Sequence, residues 1–345
     1  MIMRKLQIMW VLVFLLLSPK IIFCGGAALG ANTVRGTIGT GITPKGLCVT
    51  GDPTIYVANS NDYNIPGQDT VTAYSTTTGT VTIISDASFN HPSSATPNAA
   101  GTFVYVTNEG STTISIITTA SNTVTGTITG FNAPIAMVIT PDGTTAYVAN
   151  SGNATVSVVD LTTNTIVGAP IAVGVSPSAL AITPDGAYVY VTNYTNGGSG
   201  TGTVSVIRTS DNTVPVTIPG FTGPVSIAIT PNGEYAYVAN YGDPSANVLS
   251  STVSVITLAS NTITKTIQVG LSPSSVTVNP NGTLVYVVAA NTSQNSGTIV
   301  AGQGIVYVIN VATNEAIPTT IAVGQNPLAI IISPDGYFAY VKILT

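Results

Sequence analysis

The sequence predicts an all-β fold, a seven-bladed β-propeller of four-stranded antiparallel blades. The first observation is a recurring word, Tyr-Val-Ala-Asn or Tyr-Val-Thr-Asn, whose tyrosines are 42 to 54 residues apart. The second is that turn residues divide each repeat into four short stretches of strand-like composition. A fixed period in this range with several strands per unit is typical of propellers. Five full copies of the word begin at Tyr56, Tyr105, Tyr147, Tyr190 and Tyr237, and degenerate copies begin at Tyr286 and Tyr340.

The repeat between Pro177 and Ile218 shows the predicted blade most fully. Pro184-Asp185-Gly186 and Ser210-Asp211-Asn212 are turn sequences, because Pro presets φ while Gly and Asn tolerate positive φ. The stretches on either side of these turns either alternate between apolar and polar residues or are continuously apolar, and both patterns are typical of β-strands. The four predicted strands are Ser178–Thr183, Tyr188–Tyr194, Thr203–Ile207 and Thr213–Ile218.

The two ends of the chain are predicted to close the ring. Residues 32–39 resemble a fourth strand but precede the first blade, so we expect them to join the last blade as a latch. The seventh blade lacks a recognisable third strand, which leaves an incomplete blade, a strand from a partner or a truncated chain as alternatives. The predicted single propeller domain spans 31–345, with repeats around 40–84, 85–128, 129–171, 172–218, 219–267, 268–321 and 322–345 plus 32–39.

Residues 1–30 have the features of a secretory signal peptide. Arg4 and Lys5 precede the apolar run 7–17, and Ala28-Leu29-Gly30 is a plausible cleavage site. The apolar run is short for a transmembrane helix, which needs about 20 residues. We therefore expect a secreted protein (extracellular, at the cell surface or periplasmic) with no membrane span after cleavage.

The charge composition argues against nucleic acid as a partner. Without Arg4, Lys5 and Lys20, five basic residues remain against 13 acidic ones, and no basic cluster is present. Phosphate backbones require several Lys or Arg residues on one surface. Cys48 would be the one cysteine left after cleavage, so we expect a buried thiol and no intramolecular disulfide.

The repeat word resembles that of the YVTN family of β-propeller repeat proteins, and the resemblance covers about residues 32–342. It implies a propeller of the secreted or surface-layer type. More distant propellers that it resembles include lactonases and a streptogramin lyase, so the resemblance leaves open a lactonase- or lyase-like enzyme with a site at the channel mouth.

The polar residues of the repeat are predicted to be structural. The tyrosines are expected to pack between blades, and the asparagines to bond their own backbone where the strand ends. Asp142, Asp185 and Asp335 are predicted turn formers. They therefore supply no candidate site.

No catalytic residue, cofactor or metal site is predicted. His91 is the one histidine of the chain, whereas copper clusters and haem sites of the reductase type need several. His91 and Asp62 are the residues that the enzyme alternative would depend on. The segment with Asp62 and Asp69 is rich in oxygen ligands but lacks EF-hand spacing, so a polar loop is favoured over a calcium site.

The best indication of function comes from segments in which the chain is longer than the repeat requires. Extra residues fall between second and third strands at 60–69, 194–202, 241–251 and 290–303. These connections are expected on one face, and length variation on one face of a repeat protein indicates a binding face. Candidate ligand-stacking residues there are Tyr63, Tyr194 and Tyr241.

The sequence thus predicts a binding scaffold that presents this face to a protein, glycan or cell-envelope partner. A structural surface-layer component is the remaining alternative.

Overall fold

The computed structural model describes residues 20–25, 33–40, 43–60, 68–194, 201–243, 248–291, 293–295, 298–300 and 302–343. All regular elements in these ranges are β-strands. They form a β-propeller of four-stranded antiparallel blades. The described residues include no helix of the length and hydrophobicity needed to span a lipid bilayer.

The strands occupy four positions from the innermost to the outermost in each sheet. The innermost strands are β3 (Pro44–Val49), β7 (Pro92–Pro97), β11 (Pro134–Ile139), β15 (Pro177–Ile182), β19 (Pro224–Ile229), β23 (Pro273–Val278) and β29 (Pro327–Ile332). The second strands are β4 (Thr54–Asn59), β8 (Phe103–Asn108), β12 (Thr145–Asn150), β16 (Tyr188–Asn193), β20 (Tyr235–Asp243), β24 (Leu284–Ala289) and β30 (Phe338–Ile343).

The outer half of each sheet follows the same order. The third strands are β5 (Thr70–Ser75), β9 (Thr113–Thr118), β13 (Thr155–Asp160), β17 (Gly202–Arg208), β21 (Val248–Thr257), β27 (Ile305–Asn310) and β1 (Lys20–Gly25). The outermost strands are β6 (Val81–Ser85), β10 (Thr123–Thr129), β14 (Thr165–Ala172), β18 (Thr213–Phe221), β22 (Thr262–Gln268), β28 (Glu315–Ala322) and β2 (Thr33–Gly39). A separate hairpin consists of β25 (Ser293–Asn295) and β26 (Thr298–Val300).

The prediction of seven blades needs correction. Six blades, numbered 1 to 6 from β3 onward, consist of strands taken in chain order, with the β25–β26 hairpin inserted in blade 6. The remaining sheet is a composite of both ends of the chain, in the order β2-β1-β30-β29. The strand that the sequence lacks after β30 is thus supplied by Lys20–Gly25, which lies inside the predicted signal peptide.

The composite sheet joins the ends of the chain in a regular register. Lys20 pairs with Ile343 and Gly25 with Phe338 on one side of β1, while Lys20 pairs with Gly39 on the other. The predicted latch therefore reaches the sheet through β1 and does not pair with β30 directly. Cleavage after Gly30 would remove β1 from the composite sheet, whereas blades 1 to 6 would keep all four of their strands.

The hydrophobic core is distributed between neighbouring sheets. One cluster combines Val71 and Ile84 of blade 1 with Phe89 and Val104 of blade 2, and the other clusters bridge successive sheets in the same way. The cluster between the composite sheet and blade 1 includes Ile38 of β2. Burial of apolar surface therefore favours the ring over any isolated blade.

A buried lysine crosses the junction between the composite sheet and blade 1. Lys342 on β30 is 2% exposed, and its Nζ donates to the carbonyl oxygen of Lys45 at 2.6 Å. Thr107 occupies the equivalent position in blade 2, where its hydroxyl donates to the carbonyl of Ile135 in blade 3 at 3.3 Å. The same inter-blade contact is thus made with a longer side chain where the ring closes.

In blades 1, 3, 4 and 5 the repeat tyrosine is linked to the next blade through a hydrogen bond. Its hydroxyl donates to the Oδ1 atom of an asparagine in the turn between the third and fourth strands of the following blade. That asparagine has a positive φ of 52° to 56° in four such turns, a conformation that Asn tolerates better than most residues. The pairs are Tyr56 with Asn122 (2.6 Å), Tyr147 with Asn212 (2.8 Å), Tyr190 with Asn261 (2.6 Å) and Tyr237 with Asn314.

The repeat asparagine makes a different bond from the one predicted. In blade 3 its amide nitrogen donates to the hydroxyls of Thr155 and Ser157 on the third strand, at 3.1 and 2.9 Å, rather than to its own backbone. The asparagines of blades 1, 2, 4 and 5 bond two hydroxyls in the same way. The Tyr-Val-x-Asn word and the Thr-x-Ser or Thr-x-Thr pattern of the third strand therefore form one unit.

The Pro-Asp-Gly turns behave as the sequence predicts. Asp185 Oδ1 accepts from the hydroxyl of Thr183 at 2.6 Å and from the amide of Ala187 at 3.0 Å, which holds the pKa of this carboxyl below its usual range. Neighbouring turns also touch. Gly186 has φ +71°, and a Cβ there would lie 3.1 Å from Cδ of Pro141. Glycine is needed at this position for its conformation and for the close approach.

The tyrosine bond predicts a measurable loss of stability. Tyr190→Phe removes the hydroxyl that donates to Asn261, so we expect a loss of about 1 kcal/mol in the free energy of unfolding by urea. Tyr337→Phe is the control, because Tyr337 is 58% exposed, and it should change stability by less than about 0.5 kcal/mol. Asn261→Gly preserves the left-handed turn, and Tyr190→Phe should have little effect in that background. Additive losses would contradict the pairing.

Alkaline pH should unfold the ring. Burial raises the pKa of Tyr56 and of Tyr190 to about 12, whereas an unfolded tyrosine titrates near 10. The stability gained by burying neutral tyrosine is present below pH about 10 and is lost as the pH rises toward 12. We expect part of the tyrosinate absorbance to appear together with the loss of the far-ultraviolet dichroism of the sheets. Complete tyrosine titration near pH 10 with an intact sheet signal would contradict this.

Candidate functional site

The two ends of the blades differ in composition and length. The turn face carries the connections between first and second and between third and fourth strands, including the Pro-Asp-Gly turns. The loop face carries the connections between second and third strands and the links from one blade to the next. The connections that the sequence predicts to be long begin and end on the loop face.

The links on the loop face share one backbone geometry. The residue before each opening proline has φ between 40° and 60°, and these residues are Thr43, His91, Ala133, Ser176, Gly223, Ser272 and Asn326. In blades 1 to 6 the carbonyl of this residue accepts from the amide that follows the Tyr-Val-x-Asn position, at 2.8 to 3.4 Å. These bonds fix the start of each second-to-third connection against the link of its own blade.

His91 belongs to this architectural set. Its carbonyl accepts from the amide of Glu109 at 3.1 Å, and its own amide donates to Asp69 Oδ2 at 3.2 Å. Its Nδ1 lies 2.9 Å from Oδ1 of the adjacent Asn90. The carboxylate near His91 therefore contacts the backbone of this residue, and Asp62, which the enzyme alternative also needs, lies outside the described residues.

Two of the three candidate stacking residues lie at one link. The amide of Tyr241 donates to the carbonyl of Gly223 at 2.8 Å, and the Tyr194 ring lies so close that a Cβ on Gly223 would be 2.9 Å from its Cε2 atom. Tyr194 directly follows the second strand of blade 4, while Tyr241 lies on that of blade 5. Both are partly exposed, and burial raises the pKa of Tyr241. Tyr63 lies outside the described residues.

The extra segments of blades 5 and 6 are more regular than expected. In blade 5 the strands β20 and β21 continue into the predicted loop 241–251, and Asp243 pairs with Val248. In blade 6 the predicted loop 290–303 contains the hairpin of β25 and β26. The second and third strands of blade 5 are therefore lengthened, whereas the hairpin of blade 6 is a separate two-stranded sheet.

Buried asparagine oxygens distinguish the blades with extra residues. Within the part of the chain that the structure describes, the Oδ1 atoms of Asn59, Asn193 and Asn240 are buried and have no hydrogen-bond partner. These residues belong to blades 1, 4 and 5. In blades 2 and 3, whose second-to-third connections are short, the corresponding oxygens of Asn108 and Asn150 accept from the amides of Asn90 and Asn132 at 3.3 Å.

A buried acceptor without a protein donor is uncommon and needs a water molecule or a ligand donor. Blade 6 has Ala289 at this position and so carries no such acceptor. The sequence shows the asparagines as repeat residues. Their unequal bonding becomes visible only when the links and loops are placed in space.

The described residues provide few groups for metal or thiol chemistry. In these ranges no three His, Cys, Asp or Glu side chains are grouped so that they could hold a metal ion. Cys48 is buried, and burial raises the pKa of its thiol to about 12, so it stays protonated at neutral pH.

Comparison with known proteins supports the fold. No protein-family profile and no curated protein sequence matches the chain. Among solved structures, the chain is similar to a hydrazine synthase chain of Kuenenia stuttgartiensis, with 22% identity and a TM-score of 0.62. The similarity covers 74% of this chain and 74% of that one. At this level of identity the likeness shows the propeller fold alone.

The packing of Tyr194 and Tyr241 on Gly223 can be tested by adding one methyl group. In Gly223→Ala the new Cβ would overlap the carbonyl oxygen of Gly242 and press on Tyr194, at a residue with φ +60°. Gly143→Ala is the matched control, since Gly143 has φ +74° and open space around the same position. We expect the control to lose about 1 to 2 kcal/mol from backbone strain, and Gly223→Ala to lose a further 1 to 3 kcal/mol or so. Equal shifts of the urea midpoint would contradict this packing.

Proposed function

We propose that this chain is a secreted propeller of the YVTN repeat type that acts as a binding scaffold, with its loop face as the binding surface. The observation that carries the proposal is the coincidence of the unpartnered Oδ1 atoms of Asn59, Asn193 and Asn240 with long second-to-third connections. Buried polar groups are normally satisfied, and exceptions require a donor from elsewhere.

The positions of Tyr194 and Tyr241 support the same surface. Each tyrosine directly follows one of the unpartnered asparagines, and both lie at the link formed by Thr222 and Gly223. An aromatic ring with a hydroxyl offers both stacking and hydrogen bonding to a peptide or a glycan. A partner here would therefore meet partly exposed rings beside acceptors that it, or an intervening water, can satisfy.

The enzyme alternative has less support than the scaffold. His91 lies at a position that Thr43, Ala133 and Ser176 occupy in other links, and its backbone makes the bonds that those residues make. Its placement is accounted for by the geometry of the link. The partner of the scaffold would be a protein, a glycan or another component of a cell envelope.

Alanine substitutions distinguish the two faces. We expect the double variant Tyr194→Ala and Tyr241→Ala to weaken binding to cell-envelope fragments about tenfold or more, measured by co-sedimentation with purified fragments. Tyr337→Ala is the matched control, because Tyr337 is an exposed tyrosine on the turn face. Thermal unfolding confirms that each variant is folded.

If the unsubstituted protein, the double variant and the control co-sediment with the fragments equally, the binding surface lies elsewhere and the proposal is contradicted. Sheet-like self-assembly of the protein without any fragment would favour the surface-layer alternative instead.

A further inference from the structure

The turn face has clefts between neighbouring sheets that repeat the same construction. Each cleft is bounded by the repeat tyrosine of one sheet and by turns of that sheet and the next. The cleft between blades 3 and 4 has a volume of about 520 Å³, that between blades 4 and 5 about 430 Å³, that between the composite sheet and blade 1 about 310 Å³, and that between blades 2 and 3 about 150 Å³. The first three fall within the range of about 300 to 1,000 Å³ that small-molecule sites occupy.

The two larger of these four clefts are adjacent and share a carboxylate. Asp185 lines both of them, because its turn lies between blade 3 on one side and blade 5 on the other. Tyr147 and Asn212 in the first cleft correspond to Tyr190 and Asn261 in the second. One extended ligand with repeating units can therefore meet equivalent groups in both clefts.

The carboxylates that line the clefts disfavour anionic ligands. Asp142 and Asp185 line the first cleft, and no Lys, Arg or His is among the residues that line either one. The hydrogen bonds of the turns hold the pKa of both carboxyls below the usual range, so they are ionised at neutral pH. A ligand that carries phosphate, sulfate or uronate groups would be repelled.

The remaining lining offers hydrogen-bond acceptors beside apolar walls. Asp185 uses Oδ1 for its turn, which leaves Oδ2 as an acceptor. Pro141, Val158 and Val167 line the first cleft, and Val167 is 41% exposed. A sugar ring combines hydroxyl donors at its rim with C–H groups on its faces, and it matches such a lining without bringing charge.

We propose that the clefts on either side of Asp185 form a binding site for a neutral polysaccharide, with one sugar segment in each cleft. The site is on the turn face and is separate from the loop-face surface proposed above. Occupation of two linked clefts by one chain would raise the affinity for a long oligosaccharide above that for a short one.

Titration calorimetry of the full protein with sugar oligomers tests the site. The neutral probes are cellohexaose, maltohexaose and mannohexaose with their disaccharides, and the charged probes are chitosan hexamer and hexagalacturonate. We expect at least one neutral hexamer to bind, its disaccharide to bind more weakly, and hexagalacturonate not to bind. Binding of chitosan alone, or of no neutral hexamer, would overturn the proposal.

Two variants locate the binding. Val167→Arg fills the first cleft and should weaken hexamer binding about tenfold, the factor that corresponds to the loss of roughly 1.4 kcal/mol. Ile83→Arg is the matched control, because Ile83 is 53% exposed on the outermost strand of blade 1 and lines neither cleft. Asp185→Asn removes the charge, and Asn232 shows that asparagine sustains the same turn. It should weaken binding in both clefts.

The outcomes separate this inference from the proposed function. Hexamer binding that survives Val167→Arg and Asp185→Asn but is lost in the Tyr194 and Tyr241 double variant would place the glycan on the loop face. That result would overturn the cleft site and support the proposed function. Thermal unfolding of each variant shows that a loss of binding does not reflect a loss of the fold.

Discussion

The hydrogen bond from the repeat tyrosine to a left-handed asparagine in the next blade is the interaction on which the ring depends. It joins residues such as Tyr56 and Asn122, which are 66 positions apart, and so it sets the position of one blade against another. The apolar clusters between blades contribute more free energy. They do not fix the orientation of one blade against the next, because the hydrophobic effect is non-directional and depends on the area buried. The hydrogen bond of the tyrosine fixes this orientation, because its donor and acceptor atoms must lie within bonding distance of each other. Asparagine meets both demands of the acceptor position, a positive φ and a side-chain oxygen.

Much of the fold follows from local sequence, and the corrections arise where partners are distant. The strands and turns of the blade at Pro177 were predictable because alternation, Pro-Asp-Gly and Asn-Thr are local signals. The bonding of Asn150 was predicted wrongly, because its partners Thr155 and Ser157 lie on the neighbouring strand. The composite sheet was also out of reach. The composition of Lys20–Gly25 suits a leader as well as a strand, and its place in the sheet depends on pairing with β30 at the other end of the chain.

The sequence indicates which connections carry the candidate residues but not the contacts that these residues make. Extra chain length is visible in a sequence, and it identified the connections that carry Tyr194 and Tyr241. The approach of Tyr194 to Gly223, beside the link to Tyr241, required the positions of two blades. The unpartnered oxygens of Asn193 and Asn240 could not have been found from sequence, because the word is the same in blade 3, where Asn150 is satisfied. The same asparagine therefore differs from blade to blade in its hydrogen bonding, because the link that it faces differs.

The turn face carries contacts that stabilise the ring, whereas the loop face accommodates variation in chain length. On the turn face, Pro141 and Gly186 of successive turns are in close approach and the tyrosine bonds end there, so an inserted residue would separate blades. On the loop face, the link and the second strand are fixed by a backbone bond such as that from Tyr194 to Ser176, after which the chain is free to lengthen. Long surface loops change stability little. The ring can therefore carry different loops without altering the contacts that close it, whereas any site on the turn face must be built from the repeat itself.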